Sequence, residues 1–350
     1  MDRRFLIYMA VWACLCFSAC SEHGDVLQDE MMESISLSAV VDEVKILSRG
    51  TDDDAYTGTV PSMDNELEAA VWFSLESGKY LSELPADAID EAIQLKQETN
   101  IPVHSEILYQ SGSATFPKSI SDADKPRYPI NGQSVYCVGF YPKTDWSLTD
   151  ATATKAQHAI SGEEDLMFAP QISGSWNQHF TTQRYRHLLT WLKVCVCATS
   201  TEAGYYWGKL KKITLKDVPN TLTIDLSKAE GTSFNLQETV EYSSENRSID
   251  ILDSTDGIDL AITTQDVASV FCKPQARYRL SVECMNGKTT EIEIELKPLD
   301  ADDPDNTTLL AYPAGLQYVL ILYFHPYNVV EGVCTLNAWN AQNEDLYPNN

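Results

Sequence analysis

The chain has 350 residues, 43% of them hydrophobic, and it carries a formal net charge of −26. That composition supplies enough apolar surface for a core, and for two domains. Because such a negative surface repels phosphate groups, the charge argues against a protein that binds DNA or RNA, and it would keep a protein of the cell surface soluble.

Residues 1–19 are typical of an export signal. Arg3 and Arg4 precede the uncharged run FLIYMAVWACLCF, which is shorter than the roughly 20 apolar residues that a transmembrane helix needs. Small residues then lead directly to Cys20, whose thiol is the acyl acceptor in lipoprotein processing. We expect a lipoprotein signal peptide, a lipid on Cys20 and a tether over residues 20–34. The alternative is an ordinary cleaved signal followed by a chance cysteine.

Residues 35–47 have the pattern of a first strand. Apolar side chains alternate with polar ones, and the phase slips once, at Asp42 and Glu43, within the set Ile35, Leu37, Ala39, Val41, Val44 and Ile46. Such a slip predicts a β-bulge or two short strands. An exposed polar break follows at residues 49–54.

Further strand candidates follow at fairly regular spacing, separated by Gly, Pro, Asn and Asp. They are residues 69–75, 106–109, 134–141, 188–198, 212–215, 221–226, 258–263, 278–284, 290–296, 316–324 and 332–339. Only residues 86–98 have helical spacing. This pattern predicts an all-β protein of sandwich type. A small polar stretch at residues 200–204 suggests a boundary between an N-terminal β-sandwich domain, 35–200, and a C-terminal one, 201–350.

Six cysteines remain after the signal and the lipidated residue: Cys137, Cys195, Cys197, Cys272, Cys284 and Cys334. Export permits disulfides, but the spacings form no compact disulfide framework. Most of these thiols are expected to be small apolar core residues. Cys272 and Cys284 form the first pair to test for a disulfide, since a hairpin would bring them together.

The sequence contains no readable catalytic motif: HExxH, GxSxG, a phosphate-binding loop and GxGxxG after a strand are all missing. His179 and His187 lack metal-ligand spacing, and His187 is interpreted as a satisfied core or edge histidine. The acidic cluster at residues 300–305 lacks the glycine of a calcium loop. We therefore expect no enzyme, no metal and no cofactor, although a pair of glycosidase carboxylates distant in sequence stays possible.

Several aromatic residues are candidates for a sugar-binding platform: Trp146, Trp176, Tyr205, Tyr206 and Trp207. The plainer interpretation is that they pack across strands and in the core of a sandwich.

Several segments together resemble motifs of the fimbrillin family, the lipoprotein pilins of type V pili. They are RYPINGQ (127–133) running into VYCVGFYP (135–142), EDLMFA (164–169), RHLLTWLKV (186–194), ITLKDVPNTLTIDL (213–226), PAGLQY (313–318) and the late Trp339. Each motif is weak alone, but their order spans nearly the whole mature chain. The resemblance implies two β-sandwich domains of transthyretin-like topology in tandem.

The resemblance also implies a function. It predicts a structural or accessory subunit of a surface fimbria that works in cell adhesion, held at the outer membrane by its lipid. Its partners would be other fimbrial subunits, joined by a donor strand. The rival from another class is a monomeric surface lipoprotein that binds glycans.

The resemblance finally points to Arg49 and Gly50. In the related pilins a trypsin-like protease cuts after an Arg or Lys that follows the first strand, and a strand from the next subunit fills the groove. Arg49 stands between Ser48 and Gly50 and is followed by acidic residues that keep the loop solvated. The alternative is an uncut first strand with Arg49 in an ordinary loop.

Overall fold

The structure, a computed structural model, describes residues 34–41, 67–80, 104–110, 113–115, 126–149, 154–229, 235–296, 314–327 and 329–337. Strands make up 61% of it and helices 6%, so the predicted all-β class is confirmed. The transthyretin-like topology of tandem domains stays a prediction.

The elements described are mostly strands. In chain order the strands are β1 (Ala39–Val41), β2 (Leu67–Ser74), β3 (His104–Gln110), β4 (Ser113–Thr115), β5 (Val135–Tyr141), β6 (Ser147–Leu148), β7 (Lys155–Ala159), β8 (Met167–Gly174), β9 (Gln183–His187), β10 (Thr190–Ala198), β11 (Lys209–Pro219), β12 (Thr221–Asp225), β13 (Val240–Tyr242), β14 (Asn246–Asp259), β15 (Gln265–Cys272), β16 (Arg277–Cys284), β17 (Thr289–Glu295), β18 (Gln317–Phe324) and β19 (Val330–Asn337). The helices are α1 (Thr201–Trp207) and α2 (Leu236–Thr239), and a 3-10 turn lies at Leu226–Lys228.

These strands form four sheets. The N-terminal pair of sheets has the strand orders β1-β9-β8-β5-β2-β3-β4 and β13-β12-β7-β6, and the C-terminal pair has the orders β15-β10-β18-β19 and β14-β11-β16-β17. Neighbouring strands are antiparallel except for β1 beside β9 and β10 beside β18. Strand β17 shows why these segments form strands. Ile292 and Ile294 are buried while Glu293 between them is exposed, so the alternation determines which face of the strand packs inward.

Two buried clusters lie on opposite faces of the seven-stranded sheet. The first cluster contains Phe73, Tyr109, Cys137 and Tyr185 and includes side chains from the first strand. The second cluster begins on the other face, at residues such as Trp72, and continues through the other three sheets. A continuous core therefore joins both pairs of sheets.

Strands that precede residue 200 pair with strands that follow it in two different sheets. Strand β10, which precedes it, pairs with β15 and β18, whereas β12, which follows it, pairs with β7. A cut at residue 200 would therefore separate paired strands. The division into domains 35–200 and 201–350 stays a prediction about folding units.

The polar stretch at residues 200–204, suggested as a domain boundary, contains the start of helix α1. Ser200 is its N-cap, and the Ser200 hydroxyl accepts a hydrogen bond from the Ala203 N–H at 3.1 Å. Gly208, with φ of 69°, ends the helix in a conformation that favours glycine. The helix predicted at residues 86–98 lies outside the described residues.

The predicted strands match the structure unevenly. Strand β14 ends at Asp259, so the prediction of a strand through residue 263 is wrong there, and β7, β9 and β15 were not predicted. In β7 and β9 burial alternates along the strand, but several of the buried side chains are polar, namely His158, Gln183 and His187, so the hydrophobic alternation is weak. Most residues of β15 are half-buried or exposed.

All six remaining cysteines are free thiols, and the suggested Cys272–Cys284 disulfide is wrong. The two residues lie on β15 and β16, which belong to different sheets, so no hairpin joins them. Five of the six are buried and Cys334 is half-buried, as expected for small apolar core residues.

Candidate functional site

The residues to which the sequence assigns lipidation and processing are Cys20, Arg49 and Gly50, and all three lie outside the described residues. Their roles stay predictions. The structure does describe the segment that ends shortly before Arg49, namely residues 34–41, and this segment is the candidate functional site.

The segment lies along one edge of the seven-stranded sheet. It is held near its start by a bridge between Ser34 and Arg127 and by a hydrogen bond from the Ile35 N–H to the Pro126 carbonyl at 2.8 Å. Further along, the Gln183 N–H donates to the Ser38 carbonyl at 2.8 Å. Strand β1 then runs parallel to β9, with Ala39 opposite Gln183.

Its side chains alternate between core and surface. Ile35, Leu37 and Ala39 are buried in the first cluster, whereas Val40 is exposed. The predicted alternation is therefore confirmed for these residues. Val41, the fourth member of the pattern, is half-buried against the same cluster. Val44 and Ile46, the last two members, lie outside the described residues.

A buried polar network lies in the core below the strand. The Tyr109 hydroxyl donates to the side-chain oxygen of Gln183, whose amide nitrogen lies 3.5 Å from the Cys137 Sγ. The rings of Tyr109 and Tyr185 meet edge to face at 6.0 Å. Burial raises the pKa of the Cys137 thiol and of the Tyr109 hydroxyl well above their usual values, so both groups are neutral at physiological pH.

One glycine permits this packing. A Cβ at Gly139 would lie 2.2 Å from the Tyr185 hydroxyl oxygen, so no other residue type fits without moving the tyrosine. The sequence shows only a glycine within a strand pattern, and the network of Tyr109, Gln183 and Cys137 was not predicted. No local sequence pattern signals this network, because its three members lie on three different strands.

The structure also brings together two of the segments quoted for the family resemblance. The Nδ1 of His187 lies 2.6 Å from the Asp165 Oδ2, and both side chains are largely buried. The Leu188 N–H donates to the Leu166 carbonyl at 2.8 Å beside this pair. The interpretation of His187 as a satisfied core or edge histidine is confirmed.

The other residues considered for metal binding do not come together in the structure. His179 stacks on Tyr128 with the ring centroids 5.4 Å apart, whereas His187 pairs with Asp165. Within the described ranges, no group of three or more His, Cys, Asp or Glu side chains could hold a metal ion. The acidic cluster at residues 300–305 lies outside those ranges.

The plainer interpretation, in which these aromatic residues pack across strands and in the core, is confirmed for three of the five. Trp207 is fully buried, Trp146 packs between Phe140 and His158, and Trp176 packs against the first cluster. Tyr205 alone among the five is fully exposed, with Tyr206 half-buried next to it.

Among the described helices, none is long and apolar enough to cross a membrane.

A model of the fimbrillin-like family matches residues 88–339. The chain belongs to the fimbrillin-like family. This assignment makes it a fimbrial adhesion protein of the cell surface. The matched range begins after the first strand and covers every segment quoted for the resemblance, so the match concerns the body of the molecule.

Solved structures similar to this chain include candidate cell adhesion proteins from Bacteroides uniformis and Bacteroides ovatus. Each is 14% identical and covers 88% of this chain and 98% of its own, with TM-scores of 0.49 and 0.48. A candidate adhesin from Bacteroides thetaiotaomicron is 9% identical, covers 87% of this chain and 96% of its own, and has a TM-score of 0.43. The comparison with curated proteins finds no match.

Proposed function

We propose that the protein is a structural or accessory subunit of a surface fimbria of the type V pilus kind, assembled by strand exchange. In this proposal a lipid on Cys20 anchors the precursor to the outer membrane. A protease then cuts after Arg49, the first strand leaves, and a strand of another subunit takes its place. The main supporting observation is that residues 34–41 end in a terminal strand of the sheet and insert three buried side chains, those of Ile35, Leu37 and Ala39.

The energetics support an exchange rather than a simple loss. Burial of Ile35 and Leu37 contributes roughly 1.5–3 kcal/mol each, so losing both forfeits about 3–6 kcal/mol. A typical domain is stable by only about 5–15 kcal/mol. A subunit that has lost its first strand is therefore marginally stable, and an incoming strand that fills the same positions restores it.

Backbone geometry supports the same step. The Gln183 N–H now donates to the Ser38 carbonyl, and removal of the strand exposes that donor and the edge of β9. An extended segment from another subunit would accept the same hydrogen bond, as in other cases of β-strand addition. The buried side chains then set which segment fits.

The test is limited digestion of the full-length protein by an Arg-specific protease. We expect a single early cut after Arg49, followed by multimers on size-exclusion chromatography. The matched control is Arg49→Ala, which should stay uncut at this site and monomeric. A folded protein that resists cleavage at Arg49, or one that is cut without forming multimers, contradicts the strand-exchange proposal.

The anchor is tested separately. Cys20→Ala should release the protein from the membrane fraction or stall its processing, because no other residue type accepts the thioether-linked lipid. Cys14→Ala, a change within the signal itself, is the matched control and should leave fractionation unchanged. Membrane retention of the Cys20→Ala protein would count against a lipid at this position.

A further inference from the structure

The first strand has one small inward-facing residue, and it lies opposite Gln183. The side chains of this segment that pack in or against the first cluster are Ile35, Leu37, Ala39 and Val41. Three of them are large and branched, whereas Ala39 has only a methyl group. Because Ala39 and Gln183 are register partners in a parallel pair, their side chains lie on the same face of the sheet, on strands about 4.8 Å apart.

The Gln183 side chain is held in place by hydrogen bonds. It is fully buried. Its oxygen accepts a hydrogen bond from the Tyr109 hydroxyl, and its amide nitrogen lies 3.5 Å from the Cys137 Sγ. The two partners lie on β3 and β5, inside the same sheet. A side chain that displaced Gln183 would therefore leave buried polar groups without hydrogen bonds, which destabilises the fold.

The core beside Gln183 is closely packed. Tyr185, two residues further along β9 and on the same face, is fully buried and is the register partner of Val41. Its ring meets that of Tyr109 edge to face, and a Cβ at Gly139 would lie 2.2 Å from its hydroxyl oxygen. A larger residue opposite Gln183 would thus meet a core with little spare volume.

Within residues 34–41, a single register places a small inward-facing residue opposite Gln183. A slip by one residue would turn the outward face of the strand towards the core. A slip by two residues keeps the apolar face inward but places Leu37 or Val41 opposite Gln183. Both side chains are larger than the methyl group of Ala39, so overpacking opposes either slip.

We propose that Gln183 makes the edge of β9 selective for the size of the residue opposite it, so that an extended segment binds there only in the register that places a small residue at this position. For the first strand that residue is Ala39. For a strand of another subunit, a case that rests on the proposed strand exchange, the partner is a segment with two large apolar residues and then a small one at alternate positions.

The backbone and the side chain of Gln183 have different roles in this selection. The Gln183 N–H donates to the Ser38 carbonyl, and a carbonyl is present in every sequence, so this bond adds affinity without discriminating between segments. The buried side chain penalises a large residue at the neighbouring position, and such a penalty is a source of specificity. Overpacking is expected to weaken the binding of a wrong segment by roughly 5- to 150-fold.

The first experiment measures hydrogen exchange of the Gln183 amide in the intact full-length protein. Ala39→Leu should accelerate this exchange roughly 10- to 100-fold, and Ala39→Val by a smaller factor, because each enlarges the side chain opposite Gln183. Ala39→Gly should change the rate by less than about fivefold. The matched control is Val40→Leu, which enlarges an exposed side chain of the same strand and should change the rate by less than about threefold.

A shorter side chain at position 183 separates selection from simple damage to the core. In a Gln183→Ala background, Ala39→Leu should change the exchange rate of the amide at position 183 by less than about threefold, because the added side chain has room. Gln183→Asn, which is shorter by one methylene and keeps an amide, should give a partial rescue and decides the matter if Gln183→Ala does not fold. Equal acceleration by Ala39→Leu in the parent and in these backgrounds overturns the inference.

The second experiment tests the incoming strand. A labelled peptide of residues 33–42, in the parent form or with Ala39→Leu, is added to protein that has been cut after Arg49. We expect the parent peptide to bind and the substituted peptide to bind about tenfold more weakly or worse. If the protein is not cut, or if the parent peptide does not bind, strand exchange fails, and the variants of the intact protein still decide the role of Gln183. Equal binding of the two peptides overturns the inference.

Discussion

Two pairs of strands in this protein run parallel, and they differ in position and extent. Strand β1 lies beside β9 over three register positions at the end of a seven-stranded sheet. Strand β10 lies beside β18 over eight register positions in the middle of its sheet, because β10 also pairs with β15 and β18 also pairs with β19. The edge pairing involves the proposed exchange strand, and the central pairing belongs to the core of the C-terminal sheets.

This difference explains how one strand could leave while the fold persists. Removal of β1 breaks a single ladder and leaves the pairings of β9 with β8 and of β8 with β5 in place. Removal of β10 or β18 would break two ladders at once. An exchangeable strand therefore belongs at an edge, where most of what is lost is side-chain burial rather than sheet hydrogen bonding.

The largest effect is expected in the central pairing. Leu320→Ala removes a fully buried side chain of β18 opposite Val194, and we expect a loss of about 2–5 kcal/mol in the free energy of unfolding. Denaturant unfolding of the whole protein measures it. Val319→Ala, at a half-buried neighbouring position, is the control and should cost clearly less. Equal losses for the two variants would contradict the central role of this strand.

High pH should also weaken the central sheet. Burial raises the pKa of the Cys272 thiol, opposite Thr190 of β10, from 9.0 to about 12. The thiol of the unfolded chain therefore ionises at lower pH than that of the folded protein. The fold keeps its full stability below about pH 9 and loses stability as the pH rises towards 12. By pH 11 the loss from Cys272 is about 2–3 kcal/mol.

Unfolding titrations between pH 9 and 11 measure this dependence. Cys272→Ala should flatten the decline, and Cys284→Ala should flatten it less, because the pKa of Cys284 is raised only to about 11. An unchanged slope in Cys272→Ala would show that this thiol ionises without opposing the fold.

The edge pairing should respond differently to a comparable truncation. Leu37→Ala also removes a buried leucine. Its effect on the free energy of global unfolding cannot exceed the free energy with which the first strand binds its sheet, because a strand that has already detached contributes nothing more to stability. We expect hydrogen exchange of the Gln183 amide to accelerate roughly 10- to 100-fold, because this amide donates to the Ser38 carbonyl.

The amides of β10 serve as the internal control for Leu37→Ala. They should exchange at the parent rate, because the edge strand can open without the central sheet. If exchange accelerates equally in β9 and β10, the two parallel pairings unfold as one unit and the comparison fails.

The sequence predicts those parts of the fold in which one face of a strand is buried and the other exposed. Ile35, Leu37 and Ala39 show this, and so do Ile292 and Ile294 of β17. The pattern is clear there because burial alternates with the pleat. The class of the fold follows from the repetition of such segments.

Other features depend on contacts between distant segments and leave little local trace. Helix α1 was missed because its seven residues contain glycine and its stability comes from the Ser200 cap and the buried Trp207. The contacts of Tyr327 were missed because it lies exposed on a turn, and the side chains that it contacts, Tyr206 and Glu202, lie on α1, far away in sequence. The pairing of Gln183 with Tyr109 and Cys137 joins three strands and has no sequence pattern of its own.

The smallest effect is expected from a polar side chain of the edge segment. The hydroxyls of Ser38 and Thr182 lie 2.9 Å apart in an exposed position, where water replaces either partner at little cost. We expect Ser38→Ala to change the exchange rate of the Gln183 amide by less than about threefold, or roughly 0.6 kcal/mol. Thr182→Val, which removes the other hydroxyl, should give the same small change.

The reason is that the Ser38 carbonyl, not its hydroxyl, accepts the Gln183 N–H, and every residue type offers that carbonyl. A large effect of Ser38→Ala would mean that polar side chains, as well as buried apolar ones, contribute to the binding of a strand at the edge of β9. A small effect, next to a large one for Leu37→Ala, would mean that the buried alternate positions alone determine which strand this edge holds. An incoming strand would then need apolar residues at the positions of Ile35 and Leu37 and a small one at Ala39, while its outward-facing residues could vary.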